Sequence, residues 1–198
     1  MPTVALVYTS RHGQTRRIAE RMATTLRARR FAVDVIDLDN GLPAEFDGAR
    51  YEAAVVVASV HIGKHAPPIV RFVRDHLKGL SAMPNAFLSV SLSARGAVDP
   101  DADEKRRTSA RANVDKMIGE FLRDTGWTPN VIHRIPGALL YRQYGFFVRM
   151  MMRFISTLVG ASTDTSRDHD YTDWAAVERV ANEVGDRAEA ARMPAQVT

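Results

Sequence analysis

The residues best suited to chemistry stand together near the amino terminus: Thr9, Ser10, Arg11, His12, Gly13, Gln14 and Thr15. They lie between an apolar run, Val4 to Tyr8, and a helical pattern that opens near Gln14. A phosphate at the start of a helix meets unpaired N–H groups and the positive end of the helix dipole. Gly13 lets the backbone approach closely and take positive φ. The Ser10 and Thr15 hydroxyls can donate to phosphate oxygens. The string has neither the Gly-x-x-x-x-Gly-Lys of a nucleoside triphosphate loop nor the Gly-x-Gly-x-x-Gly of a dinucleotide loop. What remains is a terminal phosphomonoester such as that of FMN. Taken alone, the same string also serves as a capped strand-to-helix turn.

Two further strings are placed to meet such a ligand: Ser59-Val60-His61-Ile62-Gly63-Lys64-His65 and Ser91-Leu92-Ser93-Ala94-Arg95. Read as loops, both offer small side chains and amides to the edge and face of a flat ring. His61 and His65 are four apart, but no His-Glu-x-x-His pattern or nearby carboxylate supports a metal, so none is expected. His61 is a candidate for ring contact or proton transfer, since imidazole titrates near neutrality. No Gly-x-Ser-x-Gly elbow is present. Asp164, Asp168, His169 and Asp170 read as a solvated loop.

A third feature is the stretch Tyr144 to Val159, with Arg149 and Arg153 on one helical face. Phe147, Met150, Met151, Phe154, Ile155 and Leu158 form an apolar band at helical spacing. This is a basic amphipathic helix, too short and too charged to span a bilayer and compatible with an interface. Packing on its own domain or on a second copy explains the band equally well. Three consecutive methionines could instead form an adaptable lid over a large apolar ligand.

These residues need a scaffold, and strand and helix signals alternate as in a parallel sheet covered on both faces. Strands are expected at Val4–Tyr8, Phe31–Leu38, Ala53–Ala58, Ala86–Leu92 and Val131–Leu139, the last interrupted late by Pro136. Helices are expected from Gln14 to Arg30, from Pro67, from about Asp103 to Gly126, and from Trp174 with Thr172 or Asp173 as cap. The 40–51 crossover is short, with room for a turn or two of helix. Gly96 to Asp103 reads as a polar loop. The expected architecture is a doubly wound five-stranded α/β domain over residues 1–198, with an element order that resembles the flavodoxin-like 2-1-3-4-5. Residues 140–171 are left over as an insert holding the amphipathic helix. In such sheets the ligand sits beyond the strands' carboxyl ends, where the order reverses.

The chain has 198 residues, 45% of them hydrophobic, and no cysteine, which excludes disulfides, thiolate metal sites and a cysteine nucleophile. No secretory pattern or spanning run is visible. The expected location is cytoplasmic, with peripheral attachment to the inner face of the cell membrane as a further option. The net charge of +4 is concentrated. From Thr125 to Thr163 there is no acidic residue, while Arg134, Arg142, Arg149 and Arg153 lie there. With those four of the 27 basic residues set aside, the remaining 23 match the 23 acidic ones. A local basic surface suits an anionic partner. Its Met and Phe content argues against nucleic acid.

The Thr9–Thr15 loop resembles the flavodoxin superfamily pattern. Further strings resemble one branch, the quinone-dependent protoporphyrinogen IX dehydrogenases of bacterial haem synthesis: Met83-Pro84-x-Ala86-Phe87-x-Ser89-Val90-x-Leu92-x-Ala94-Arg95, Gly137-Ala138-Leu139-x-Tyr141-x-x-Tyr144, Thr163-Asp164-Thr165 and Tyr171-Thr172-Asp173-Trp174. The resemblance runs over residues 3 to 185. Two positions depart from the branch's pattern: His12, where a small or acidic residue is frequent, and Arg142, where a proline is frequent.

The resemblance implies FMN bound by Ser10–Thr15, by Ser59–Gly63 and by Ser91–Ala94. It also implies hydride-type transfer from protoporphyrinogen IX to the flavin, and electron transfer onward to a membrane quinone. The flavin would do the chemistry. Arg95, Lys64 and the insert arginines are candidates for a positive field near the ring or for pairing with porphyrin carboxylates. Arg142, Tyr144, Arg149 and Arg153 are the candidate substrate or membrane contacts. Homo-oligomerisation stays open. The alternatives are an electron carrier or NAD(P)H:quinone reductase of the same fold, and a non-enzymatic membrane-docking module.

Overall fold

A computed structural model of the chain describes residues 1–41, 46–143, 145–159 and 161–192. Its centre is a parallel sheet of β1 (Thr3–Thr9), β2 (Ala32–Asp37), β3 (Ala53–His61), β5 (Asn85–Ser91) and β6 (Val131–Pro136), in the order β2-β1-β3-β5-β6. Among the five long strands this is the 2-1-3-4-5 order. A two-residue strand β4 (Lys64–His65) folds back antiparallel on the end of β3. Side chains alternate across the sheet as strand geometry requires. Val4, Leu6, Val55, Val57 and Leu88 face one layer, and Ala5, Val7, Val56 and Phe87 the other.

The first layer is α1 (Gln14–Ala28) and α7 (Trp174–Arg192). Ile18, Met22 and Leu26 of α1 and Val177, Val180 and Val184 of α7 close on the sheet. Asp173, not Thr172, caps α7, accepting the N–H of Ala176 at 2.9 Å. The opposite layer holds α2 (Pro67–Asp75), α3 (Leu77–Ser81), α4 (Leu92–Ala97) and α5 (Glu104–Thr125). Asp103 caps α5 through the N–H of Arg106. The 38–50 crossover holds two 3-10 turns, Leu38–Asn40 and Gly48–Arg50.

Three sequence expectations are corrected. The string Ser59–His65 is not an open loop: β3 runs on to His61, and a two-residue turn, Ile62-Gly63, sends the chain back into β4. Both turn residues have positive φ, 50° and 74°, which is the hairpin turn that fits strand twist. Ser91–Arg95 is not a loop either. The Ser91 hydroxyl accepts the Ala94 N–H at 3.2 Å and starts α4, so Gly96 and Ala97 are helical too. Finally, the strand at Val131–Leu139 ends at Pro136. After Gly137 a separate strand, β7 (Ala138–Leu139), pairs antiparallel with β8 (His169–Asp170). This ladder forms the neck of the insert, so His169 and Asp170 belong to a strand and not to a solvated loop.

Beyond the neck lie a 3-10 turn, Tyr141–Gln143, and α6 (Phe146–Val159). Among the described residues no helix is long and apolar enough to cross a membrane.

Candidate functional site

The carboxyl ends of β1, β3 and β5 lie side by side. Each hands the chain to a string singled out by sequence. After β1, Gly13 takes the left-handed conformation at φ 82°, and a Cβ placed there would meet open space. The Ser10 hydroxyl accepts the Arg16 N–H at 3.1 Å, and the first intrahelical bond runs from Arg17 N–H to the Gly13 carbonyl at 3.0 Å. The Gln14 and Thr15 N–H groups therefore stand at the helix start with no partner among the described residues. Below them the Thr9 hydroxyl is buried and unpartnered, one of two such side-chain atoms among the described residues. A buried hydroxyl of this kind is costly unless a ligand supplies the bond. Open space, amides and an orphan hydroxyl together fit a phosphomonoester.

The second string meets the first. The rings of His12 and His61 lie edge to face, 6.1 Å between centroids. His61 shares a 3.1 Å hydrogen bond with the Ser59 hydroxyl. Burial, followed by the Arg11 guanidinium and His12, pushes the His61 pKa down, while Asp39 opposes them. His12 is lowered by burial and by Arg11. Both imidazoles are therefore biased toward the neutral form. Ile62 stands 87% exposed on its turn, a β-branched residue at positive φ. Such a backbone is strained, and strain tends to persist where function needs the shape.

The third string behaves differently. Ser91 and Ala94 are buried, and the Ser91 hydroxyl is committed to the α4 cap. Leu92 packs against Leu139, Leu140 and Tyr141. The Ser93 hydroxyl accepts from Asn113 Nδ2 at 3.1 Å. Arg95 pairs with Asp99 at 3.0 Å and lies 5.5 Å from the Tyr171 ring centre, so its charge is largely answered within the chain. Gln14 is likewise committed: its Nε2 donates to Asp170 at 2.9 Å and to Thr172 at 2.6 Å. That bond joins α1 to the neck of the insert, which spacing alone does not reveal.

The insert arginines divide. Arg149 is half-buried and donates from Nε to the Tyr141 carbonyl at 3.1 Å. Arg142 and Arg153 are exposed. The Arg142 N–H donates to Asp168 at 2.9 Å. Arg134 is paired with Asp115. Tyr144 lies outside the described residues, as do the side chains of Phe147, Met151 and Leu158. On α6 the residues Phe146, Met150 and Phe154, spaced one turn apart, are 72%, 51% and 66% exposed. This stripe faces solvent. On its other side Met152 packs against the buried Leu139, Leu140 and Tyr141, and polar groups fasten the helix further. The Tyr141 and Ser156 hydroxyls share a 2.9 Å bond, Tyr141 donates to the Ser162 carbonyl at 2.8 Å, and the Tyr171 hydroxyl accepts the Ser162 N–H at 2.8 Å.

Residues 5–166 match the family model of a flavodoxin domain. Protoporphyrinogen IX dehydrogenase [quinone] of Leishmania major is 33% identical over 183 residues, covering 92% of this chain and 74% of that protein. The enzyme of the same name from Escherichia coli K12 is 32% identical over 179 residues, covering 90% and 92%. Among solved structures, oxidised flavodoxin 1 from Bacillus cereus superimposes with a TM-score of 0.51 at 14% identity, covering 93% of this chain and 97% of that one. Rubredoxin oxygen:oxidoreductase from Desulfovibrio gigas also gives 0.51, at 12% identity; the chain spans only 37% of its length. These two likenesses speak to fold. The domain match over residues 5–166 and the sequence match over nine-tenths of the chain are decisive for family: this protein belongs to the flavodoxin-domain family of quinone-dependent protoporphyrinogen IX dehydrogenases.

Proposed function

We propose that the chain oxidises protoporphyrinogen IX to protoporphyrin IX and passes the electrons to a membrane quinone, with FMN as its cofactor. The observation that carries this is the similarity to enzymes so named over about 90% of the chain. A β1–α1 loop built for a phosphomonoester supports it. Bound FMN would supply the electron-accepting ring.

The chain's own residues do the rest. Amides of residues 11–15 and the Thr9 and Thr15 hydroxyls would hold the phosphate. The Ile62-Gly63 turn and His61, after β3, and the Leu92–Ala94 turn of α4, after β5, would lie nearest the ring. His61, biased to the neutral form, is the candidate to take a proton as the macrocycle loses hydrogen. On the insert, Arg142 and Arg153 offer exposed positive charge to propionates or lipid phosphates. The outward Phe146, Met150 and Phe154 stripe offers an apolar face, a combination suited to an anionic membrane surface where quinone dissolves.

Anaerobic mixing tests the reading. Protoporphyrinogen should bleach the flavin absorbance, and a quinone analogue should restore it. Bleaching by NAD(P)H alone, with the porphyrinogen inert, would overturn it in favour of a reductase.

A further inference from the structure

The turn that follows β2 aims a carboxylate at the loop proposed to take the phosphate. Asp37 shapes that turn. Its Oδ1 accepts the Asp39 N–H at 3.0 Å, and its Oδ2 accepts Asn40 Nδ2 at 3.1 Å and the Tyr8 hydroxyl at 3.0 Å. Burial, and then this bond to Asp37, pushes the Tyr8 pKa up to about 12, so the phenol keeps its proton and goes on donating. Three donors therefore fix Asp37, and the 3-10 turn Leu38–Asn40 built on it carries Asp39 across to β1.

There Asp39 Oδ2 accepts the Ser10 N–H at 2.5 Å. The Ser10 hydroxyl meanwhile turns toward Arg16. One amide of the loop is thus answered by an anion that the chain itself provides. A carboxylate oxygen and a phosphate oxygen are the same kind of acceptor for an amide. The nearest cation in sequence, Arg11, is exposed, so solvent and salt screen its help.

We propose that Asp39 is an internal stand-in for the cofactor phosphate. Its carboxylate holds the loop in shape before the phosphate arrives and repels the phosphate dianion once it does. Asp39 therefore sets how strongly the phosphate end contributes to binding. The proposal rests on the FMN reading above. It makes Asp39 a positioning and affinity-setting residue, since its bond is to the loop and not to the reacting atoms. Its charge also reaches the second string, where it opposes the influences that keep His61 neutral.

The test compares FMN with riboflavin, which has the same ring and no phosphate. Each is titrated by fluorescence quenching into apoprotein of the wild type, Asp39→Asn and Asp39→Ala, and the melting temperature of each apoprotein is measured. Asp39→Asn keeps an oxygen for the Ser10 N–H but removes the charge. It should bind FMN about tenfold tighter, a gain of about 1.4 kcal/mol. Its affinity for riboflavin should not change, and the FMN gain should shrink as salt is raised. Asp39→Ala should show the same preference on an apoprotein that melts lower, because the loop has lost its stand-in. Unchanged or weaker FMN binding in both variants overturns the proposal. So does an equal gain for riboflavin, which would place the effect away from the phosphate. Wild-type protein that binds neither flavin overturns the cofactor reading itself, an outcome distinct from both.

Discussion

The rim of loops after β1, β3 and β5 and the insert share the carboxyl edge of the sheet, but they are held there to different degrees. The rim grows from β1, β3 and β5, whose residues Val4–Val7, Ala53–Ala58 and Ala86–Leu88 are fully buried. Close packing on both faces leaves such strand ends little freedom. The insert grows from a two-residue ladder and is held by a small apolar cluster, Leu139, Leu140 and Tyr141 with Met152 against them, and by hydroxyls: Tyr141 to Ser156 and Ser162, and Tyr171 to Ser162. Its apolar stripe points away from the domain. A closely packed scaffold can fix a site in place, whereas an appendage on a small core can present a surface and still yield. Gln14 joins the two, holding Asp170 and Thr172 of the neck from the first residue of α1.

The sharpest way to break this contrast is to load the rim's foundation. His65 lies buried beside the Phe87 and Phe121 rings and bonded to the Ser89 hydroxyl at 3.0 Å. Burial lowers its pKa from 6.5 to about 4. Between those values the unfolded chain binds a proton that the folded chain refuses, so stability falls as pH drops through that window. The shift corresponds to about 3 kcal/mol lost between pH 7 and pH 4. Urea unfolding at both pH values should show the wild type losing about that much more than His65→Gln, which keeps a polar partner for Ser89. Equal losses would mean that the rim's foundation is not as closed as its packing implies.

Next in size is Gly13→Val. A β-branched residue at φ 82° is strained. The side chain also projects into the open space before the loop. FMN affinity measured by fluorescence should fall on the order of a hundredfold, about 2.7 kcal/mol. Amide exchange in α6 should not change. Faster exchange there would show that Gln14 transmits loop strain to the insert, and the two regions would then count as one.

Tyr141→Phe probes the insert's own fastening. It leaves the Ser162 carbonyl without its donor and should cost about 1–2 kcal/mol. The loss should be local: hydrogen exchange should accelerate across α6 while β1, β3 and β5 keep their protection. A global loss of protection would contradict the picture of a separately attached appendage.

The same contrast explains what could be read from the sequence. The five strands, their order and the β1–α1 turn were legible because buried parallel strands are continuous apolar runs and helix N-termini have their own residue signature. The hairpin at Ile62-Gly63 was not, because an Ile at positive φ contradicts the residue preference of its turn. The α4 start at Ser91 was hidden by a small-residue string that reads equally as loop. The Gln14 bond to Thr172 spans 158 residues, and no local pattern announces a polar contact of that range. The insert's amphipathic helix was legible, but which face it turns outward was not. Periodicity finds a stripe without saying what covers it, and here the face carrying Met152 and Ser156 is the one turned to Leu139, Leu140 and Tyr141.

The smallest stability effect belongs to that outward stripe. Phe154→Ser, alone or with Met150→Ser, removes side chains that are 66% and 51% exposed, so unfolding free energy should stay within about 0.5 kcal/mol of the wild type. Binding to vesicles of mixed neutral and anionic lipid should nevertheless fall about tenfold, because the stripe's apolar area is what the bilayer would bury. Arg153→Gln should weaken the same binding by a smaller factor, and only at low salt, since an exposed charge near anionic lipid acts over a Debye length. A Phe154→Ser protein that loses stability but not vesicle affinity would invert the contrast: the stripe would be packed inward in solution, and the insert would be held as the rim is, by burial.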